Sequence, residues 1–344
     1  MPSPDAPGPL ALLRAHLDGP RGRARLEALL DTDDPAATVA AMAPNAVHEL
    51  VVDVGLAEAG ELLALATPAQ FQGCIDLEVW ERDRIDVAAA RPWLAAILDI
   101  GFEKVGEVWH GLDPEWRALF IAAHTIIYDL TGGEDPDHDY TYADDPDAPP
   151  VWFTPDGAFA VRLLGGDDQA RLIMALIDDL YRADMGLARH TLLTARSEPT
   201  ASLEETSYRW RSGRMADLGY VDFYEALELF APLAVEQFAA EAPAVTELQD
   251  DALPLPLVVI EQLVAKSFLA RAWDRAATDQ PAVHARLQQA LVTLVNKVLA
   301  AAQVRPGDAA ALAAAAEYAT ATVSLGLESV ARGDVGRAAA CTAR

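Results

Sequence analysis

The sequence predicts an all-α, or predominantly α, fold: a right-handed superhelix of helical repeats, followed by a helical domain with one small β-hairpin. Two observations lead to this prediction. Residues 55–68 align with residues 101–114 without a gap, and a third copy at 38–44 aligns with 62–68. Aromatic residues make up only 7% of the chain, which favours closely packed helices. Repeats of this kind usually form stacked helix pairs, because one pair alone cannot bury its apolar face.

The predicted organisation has four parts. An N-terminal tail with short helices at 10–18 and 21–30 occupies residues 1–33, and the helical repeats occupy 34–130. Residues 131–150 form an acidic linker, and residues 151–344 form the second helical domain. At 344 residues and 52% hydrophobic, the chain is long and apolar enough for a sizeable core.

Within 34–130 we expect consecutive helices and no strand. Asp34, Thr67 and Asp113 each precede a proline, which places a capping side chain just ahead of a proline at the first helical position. Apolar residues also recur at helical spacing, for example in residues 47–54.

The one β signal lies at 151–163. Two short runs rich in β-branched and aromatic residues flank Pro155-Asp156-Gly157, which predicts an antiparallel hairpin that turns at Asp156 and Gly157. The chain then returns to helix. Helices are predicted from a capping box at 202–205 to about residue 218, from another at 222–225 to 230, and at 257–275, 283–302 and 309–331.

The charge balance limits the classes of partner that the protein is expected to bind. The net charge is −27, with 53 acidic and 26 basic residues. A nucleic-acid surface needs clustered Lys and Arg, so no nucleic-acid partner is expected. No signal peptide and no run of 18 apolar residues is found, so we expect a cytoplasmic protein without membrane insertion. A protein partner is the favoured binding class, and the oligomeric state stays open.

Two resemblances follow from these residues. The Leu-Leu pairs, the proline after each short helix and the internal acidic residue of 34–130 resemble the N-terminal domain of MgtE-type magnesium transporters, which implies a superhelix here. Segments 69–80, 208–219 and 324–328 resemble a bacterial family that is defined only as a domain of unknown function. That family supplies no catalytic residue.

The helices of 170–215 carry the best candidate for a ligand pocket. Asp178 and Arg182, like Glu205 and Arg209, have the i,i+4 spacing of ion pairs. Arginines can also clamp a carboxylate or phosphate. We therefore consider a site of Asp178, Arg182, Arg209 and Arg214, and keep structural ion pairs as the alternative.

The acidic linker is the second candidate. Its Glu134, Asp135, Asp137 and Asp139 could bind Mg²⁺ or Ca²⁺ weakly, because hard cations take several oxygen ligands. The segment lacks the glycine and glutamate positions of an EF-hand, and a solvated linker is the alternative. No other cofactor is predicted.

Two smaller candidate sites lie in the repeat region. His124, Tyr128 and Asp129 could serve acid–base chemistry if they shared a helix face, and a buried core histidine is the alternative. The charged run 80–86 could bind a ligand through an arginine or form a salt-bridged helix end.

These candidate sites lead to three hypotheses on the function of the protein. No phosphate-binding glycine loop, metalloprotease or serine-hydrolase motif is found. The first hypothesis is therefore a non-enzymatic helical-repeat scaffold for interaction or regulation. The alternatives are an enzyme with an acidic and arginine site in the 170–215 helices, and a module that senses divalent cations.

Overall fold

The computed structural model describes residues 22–142, 145–231, 267–279, 281–304 and 309–342. These residues are predominantly helical with a few small strands, as predicted. Among them, no helix combines the length and apolar character that a membrane span requires. The chain divides into two compact units, Arg21–Arg214 and a second unit whose described part begins at Met215.

The first unit contains helices and two small sheets. Its helices are α1 (Gly22–Leu30), α2 (Pro35–Ala40), α3 (Pro44–Val54), α4 (Gly60–Leu65), α5 (Pro68–Glu78), α6 (Arg91–Ile100), α7 (Phe102–Gly111), α8 (Pro114–His124), α9 (Asp167–Ala183), α10 (Met185–Ser197) and α11 (Thr200–Asp217). Its strands are β1 (Trp80–Glu81), β2 (Arg84–Ile85), β3 (Thr125–Asp129), β4 (Val151–Phe153) and β5 (Phe159–Leu163).

The sequence repeat corresponds to pairs of helices. Helices α2 and α4 both have 6 residues, and each is followed by a helix of 11 residues, α3 or α5, that begins with a proline. The more distant copy is α7 followed by α8, which again begins with a proline and has 11 residues. Gly55 and Gly101, which coincide in the repeat, both end a helix at a positive φ that favours glycine.

Alternate helices of this region pack against one another. Helix α2 packs on α4 and α4 on α6, while α3 packs on α5 and α5 on α7. Helix α7 then packs on α9. The short helices α2 and α4 therefore lie in one row with α6, and α3, α5 and α7 lie in another.

A proline-to-glycine contact recurs between the long helices. Pro44, which begins α3, lies against Gly73 of α5, and Pro68, which begins α5, lies against Gly111 of α7. A Cβ atom on either glycine would lie 2.4 Å from the proline Cβ. A rigid ring thus fills the space that each absent side chain leaves.

Gly73→Ala should therefore lower the free energy of unfolding by about 1–3 kcal/mol, the usual cost of overpacking a dense core. Gly60→Ala is the matched control, because a Cβ atom there would meet no atom within 4 Å. Denaturant unfolding of both variants measures the difference. Equal stability of the two would show that the contact between α3 and α5 is loose.

All three predicted helix starts are confirmed, because α2, α5 and α8 begin at Pro35, Pro68 and Pro114, and the predicted side-chain cap forms at two of them. Asp34 accepts a hydrogen bond from the backbone N–H of Ala37. Thr67 and Gln70 form a full capping box at the start of α5. At Pro114, the third proline, Asp113 makes no capping hydrogen bond, because its carboxylate pairs with Arg214.

The prediction that 34–130 contains no strand is wrong in two places. Strands β1 and β2 have two residues each and pair antiparallel as a hairpin. Arg82 lies in the turn, with a φ of 62°. The second place is β3, which directly follows α8 and consists largely of β-branched residues. Strand β3 pairs with the distant β5, and this pairing outweighs the local helical pattern.

The hairpin predicted at 151–163 is confirmed, but it belongs to a larger sheet. Strands β4 and β5 pair antiparallel, and β3 joins on the other side of β5 to give the order β3-β5-β4. Asp156 in the turn accepts hydrogen bonds from Thr154, Ala158 and Arg189. Burial raises the pKa of Asp156, but these hydrogen bonds outweigh that effect and lower the pKa to about 2. The turn is therefore tied to α10 through an ionised carboxylate.

One hydrophobic core runs through the first unit. It joins buried residues of the repeat helices to the sheet and to α9, α10 and the start of α11. Residues 131–150 therefore lie within one compact unit, between segments that share this core. The four-part domain division derived from the sequence stays a prediction.

The second unit is helical in its described part. After α11 come α12 (Phe223–Leu227), α13 (Phe268–Asp279), α14 (Pro281–Ala301), α15 (Ala309–Ala331) and α16 (Val335–Thr342). Asp222 caps α12, as its sequence motif predicts, and α15 has the predicted bounds. The predicted helix at 10–18 and residues 257–266 of the next predicted helix lie outside the described residues.

Candidate functional site

The four side chains predicted to form a ligand site do not meet. Asp178 and Arg182 form an ion pair within α9, at 2.5 Å between Oδ2 and Nη2. Arg209 pairs with Glu205 on the exposed side of α11. The structural alternative of i,i+4 ion pairs therefore describes these residues, and Arg214 alone enters a buried polar cluster.

Arg214 joins two carboxylates of the repeat helices. Its Nε and Nη2 atoms donate to Asp76 at 2.7 and 3.2 Å. Its Nη1 and Nη2 atoms donate to Asp113 at 3.1 and 2.7 Å. Planar two-point contacts of this kind are the strong form of an arginine–carboxylate pair. Helix α11 is thereby fixed to the end of α5 and to the start of α8.

Gln72 closes this arrangement into a ring. Its Nε2 donates to Asp76 Oδ1 at 3.0 Å, and its Oε1 accepts from the backbone N–H of Asp113 at 2.9 Å. Gln72 and Asp76 lie four residues apart on α5, so they share one helix face. We call the ring of Gln72, Asp76, Asp113 and Arg214 the arginine ring.

The ring explains the missing cap of α8. Asp113 has the position of a capping residue, but its carboxylate binds the guanidinium of Arg214. Both oxygens of this carboxylate accept from the guanidinium, whose opposite charge and two parallel donors favour this geometry over a cap on the helix. The glutamine then satisfies the backbone N–H of Asp113 itself.

Burial dominates the electrostatics of the ring. Burial raises the pKa of Asp76, and the hydrogen bonds from Arg214 and Gln72 oppose that rise. Burial alone would lower the pKa of Arg214, but its bonds to Asp76 and Asp113 raise it above the ordinary value. Asp76 is 1% exposed, so it depends on this one permanent cation for its charge balance.

A second arginine extends the contact between α5 and α11. Arg211 donates from Nε to the backbone carbonyl of Asp76 at 3.1 Å, and its guanidinium lies 5.7 Å from the ring centre of Trp80. Trp80 in turn packs against Tyr208, at 5.5 Å between ring centres. Segments 69–80 and 208–219, which carried the family resemblance, thus meet in the fold.

The chemistry of the arginine ring is that of a structural anchor. Four hydrogen bonds occupy three nitrogens of the guanidinium, and both oxygens of each carboxylate accept. Little donor capacity is left for a phosphate or carboxylate ligand. The sequence does not reveal Asp76 and Asp113 as partners of Arg214, or Gln72 as the residue that bridges them, since Asp76 lies 138 residues away from Arg214.

The acidic loop is also built into the fold. Glu134 pairs with Arg196 of α10 and accepts from the backbone N–H of Asp129. Asp135 accepts from the N–H of Asp137, and Asp139 accepts from the hydroxyl of Tyr128 at 2.5 Å. Within the described part of the chain, no group of three or more His, Cys, Asp or Glu side chains could hold a metal ion.

A buried arginine holds this loop against the sheet. Arg162 of β5 donates to the backbone carbonyls of Pro136 and Pro149 and to the hydroxyl of Tyr128. Its guanidinium also lies 4.4 Å from the ring centre of Tyr142. Both ends of the predicted linker are therefore fastened to one side chain of the central strand.

Weak Mg²⁺ or Ca²⁺ binding by the loop stays a prediction for experiment. We expect millimolar Mg²⁺ to change thermal stability no more than monovalent salt of the same ionic strength does, because ion pairs and hydrogen bonds already engage Glu134 and Asp139. A specific cation site would stabilise the fold by about 1–3 kcal/mol at saturating cation. A Mg²⁺-specific shift that Asp135→Asn, Asp137→Asn and Asp139→Asn together remove would establish the sensor hypothesis.

His124, Tyr128 and Asp129 do not share a helix face. His124 ends α8, is buried, and contacts the carbonyl of Phe120 through Nδ1 at 2.7 Å. Tyr128 and Asp129 lie on β3. Burial lowers the pKa of His124, which favours the neutral ring. The alternative of a core histidine therefore describes it, and run 80–86 forms the β1–β2 hairpin rather than a helix end.

The fold and the arginine ring define a class of protein: a predominantly helical chain with a few small strands, in which internal ion pairs join distant helices. The chain belongs to the family described as "Family of unknown function (DUF6178)", whose model matches residues 3–344. This bears out the resemblance to a family of unknown function. No curated protein and no solved structure matches the chain. Nothing in these comparisons shows the resemblance to the magnesium-transporter domain.

Proposed function

We propose that this protein is a non-enzymatic helical-repeat scaffold that binds a partner protein. The observation that carries the proposal is the alternate packing of α2, α4 and α6 in one row and of α3, α5 and α7 in another. Stacked pairs of this kind create extended surfaces that single helices lack, and repeat proteins use such surfaces for binding.

The proposal extends to the shape of residues 34–130 and to the charge of the partner protein. Residues 34–130 form a right-handed superhelix, and the partner is a protein with a basic surface that acts in the cytoplasm. A net charge of −27 supports a basic partner, because complementary charge speeds association and disfavours acidic competitors.

The state of the ionisable groups supports binding rather than catalysis. A catalytic site needs groups that are free to contact a substrate, with pKa values matched to their task. Arg214 is engaged by Asp76 and Asp113, and Arg182 and Arg209 are engaged by neighbours on their own helices. Arg214 therefore lacks that freedom, and Arg182 and Arg209, in exposed pairs on their own helices, do not join it in one site.

The test begins with crosslinking and mass spectrometry on the tagged full-length protein in its native host. The partner so identified is then purified, and its affinity is measured for Glu61→Arg/Glu103→Arg, a pair of exposed changes on α4 and α7. Glu198→Arg/Glu204→Arg changes the net charge equally, at exposed or half-exposed positions outside the stack.

We expect the stack variant to weaken the complex at least tenfold more than the control does. Crosslinks that map outside 34–130, or equal affinities of the two variants, would contradict a role for the stack in binding. Turnover of a small molecule by the purified chain, abolished by a change at Arg182 or Arg209, would favour the enzyme alternative.

A further inference from the structure

The two edges of the three-stranded sheet differ in how they are covered. At the β3 edge, the backbone N–H and carbonyl groups of Asp129 are bonded to Glu134, and α10 packs on the strand. At the other edge, β5 is the one element among the described helices and strands that packs extensively on β4. An uncovered edge strand is a template for pairing with another extended chain.

The register of the sheet shows which backbone groups of β4 face outward. Pro150 and Thr154 both form backbone hydrogen bonds to β5, and in an antiparallel pair such positions alternate with positions that form none. The N–H and carbonyl groups of Val151 and Phe153 therefore point away from β5. Within the described part of the chain, these outward groups have no hydrogen-bond partner.

The free edge also carries an aromatic side chain. Phe153 is 58% exposed, whereas its neighbour Trp152 lies on the opposite face of the strand and packs against the core. Sheet edges are usually protected by charged side chains, and β4 has none. Prolines at 149 and 155 lack an N–H donor, so pairing is confined to a segment of about three residues.

The charge beside the edge favours a basic occupant. Asp145 and Asp147 are exposed in the segment that leads into β4. Arg162 fixes the end of this segment through the carbonyl of Pro149, so both carboxylates are held close to the edge. A second copy of the chain would bring a net charge of −27 to the same place, and repulsion opposes that pairing.

We propose that β4 is a docking edge for an extended basic segment of a partner protein, which adds to the sheet as a further strand. The outward groups of Val151 and Phe153 bond to its backbone, an apolar side chain packs on Phe153, and lysine or arginine side chains approach Asp145 and Asp147. Backbone pairing supplies affinity and the side chains supply selectivity. The edge lies outside residues 34–130, so binding there does not depend on binding by the helix stack.

The experiment measures the affinity of the full chain for a fluorescent peptide of alternating valine and lysine, at about physiological salt. Val151→Pro should weaken binding about tenfold or more, because it removes an outward N–H group and leaves the bonds to β5 in place. Wild-type affinity in this variant would overturn the docking edge.

The charge of the occupant is tested by Asp145→Asn/Asp147→Asn, which should weaken binding about threefold to tenfold. Asp31→Asn/Asp33→Asn is the matched control, since it removes the same charge at exposed positions between α1 and α2. Equal affinities of these two variants would overturn the choice of a basic occupant.

Modified peptides test the pairing without any change to the protein, which covers the case that Val151→Pro fails to fold. One peptide is N-methylated at its valines and the other at its lysines. Because alternate N–H groups of a strand point in opposite directions, one peptide should bind about tenfold more weakly than the other. Equal affinities of the two peptides would overturn strand addition.

Sedimentation of the wild-type chain tests the competing occupant. We expect no dimer that depends on β4. A dimer that forms with rising protein concentration and that Val151→Pro abolishes would overturn the proposal, because the edge would then bind a second copy of the chain.

Discussion

Replacement of Arg214 by methionine should lower the free energy of unfolding by about 3 kcal/mol, near the lower end for breaking a buried ion pair. The change removes the one cation that, among the described residues, pairs with the Asp76 carboxylate, whose side chain is 2% exposed, and it also breaks the ion pair of Asp113. We place the loss at the lower end because the Arg214 side chain is 31% exposed and water can partly replace it. Urea unfolding followed by circular dichroism measures the loss.

Arg209→Met is the matched control on the same helix. Arg209 pairs with Glu205, and both side chains are about three-quarters exposed, at 74% and 76%. Exposed pairs contribute at most about 1 kcal/mol, so this variant should remain close to wild type. Equal losses in the two variants would contradict the structural role of the arginine ring.

The Arg214→Met variant should also acquire a distinct pH dependence. Burial already raises the pKa of Asp76, and loss of the guanidinium removes an influence that lowers it. Asp76 in the variant should therefore bind a proton more readily in the folded state than in the unfolded chain. By linkage, the variant should recover stability relative to wild type as the pH falls, and lose it as the pH rises.

Replacement of Arg162 by methionine should cost about 2–4 kcal/mol and should expose residues 131–150 to proteases. The change removes donors to the carbonyls of Pro136 and Pro149, and a buried acceptor without a donor costs about 1–3 kcal/mol. It also leaves Tyr128 without one of its partners. Limited proteolysis with mass spectrometry locates the cleavage, and urea unfolding gives the stability.

Arg171→Met controls for the loss of an arginine, because Arg171 is 72% exposed and pairs only with the exposed Asp168 on its own helix. It should leave both stability and cleavage unchanged. If residues 131–150 are cleaved no faster in the Arg162 variant than in this control, the loop is held by other contacts.

Features that depend on neighbouring residues could be predicted from the sequence. The capping box of Thr67 and Gln70 lies within one helical turn, and the proline at 68 supports the same helix start. The hairpin turn at Asp156 and Gly157 is likewise a local feature, with Gly157 at a φ of 66°. The sequence repeat also supports the prediction of helices, because equivalent positions indicate the same helix pair more than once.

Features that depend on distant partners could not be predicted from the sequence. Strand β3 follows a helix and is specified by pairing with β5, which lies more than 30 residues further along the chain. Asp113 resembles a capping residue in sequence, but its tertiary partner Arg214 determines its role. The i,i+4 spacing correctly suggested the pair of Asp178 and Arg182, yet no spacing rule connects Asp76 or Asp113 with Arg214.

Arg214, the one arginine of the predicted ligand site that pairs with carboxylates of other helices, holds α11 against α5 and α8. A double-mutant cycle with Asp76→Asn and Arg214→Met measures that claim most directly, because it isolates the interaction of the two side chains. We expect a coupling of about 2–3 kcal/mol, with the double variant more stable than Arg214→Met alone. Additive losses, with a coupling near zero, would contradict it.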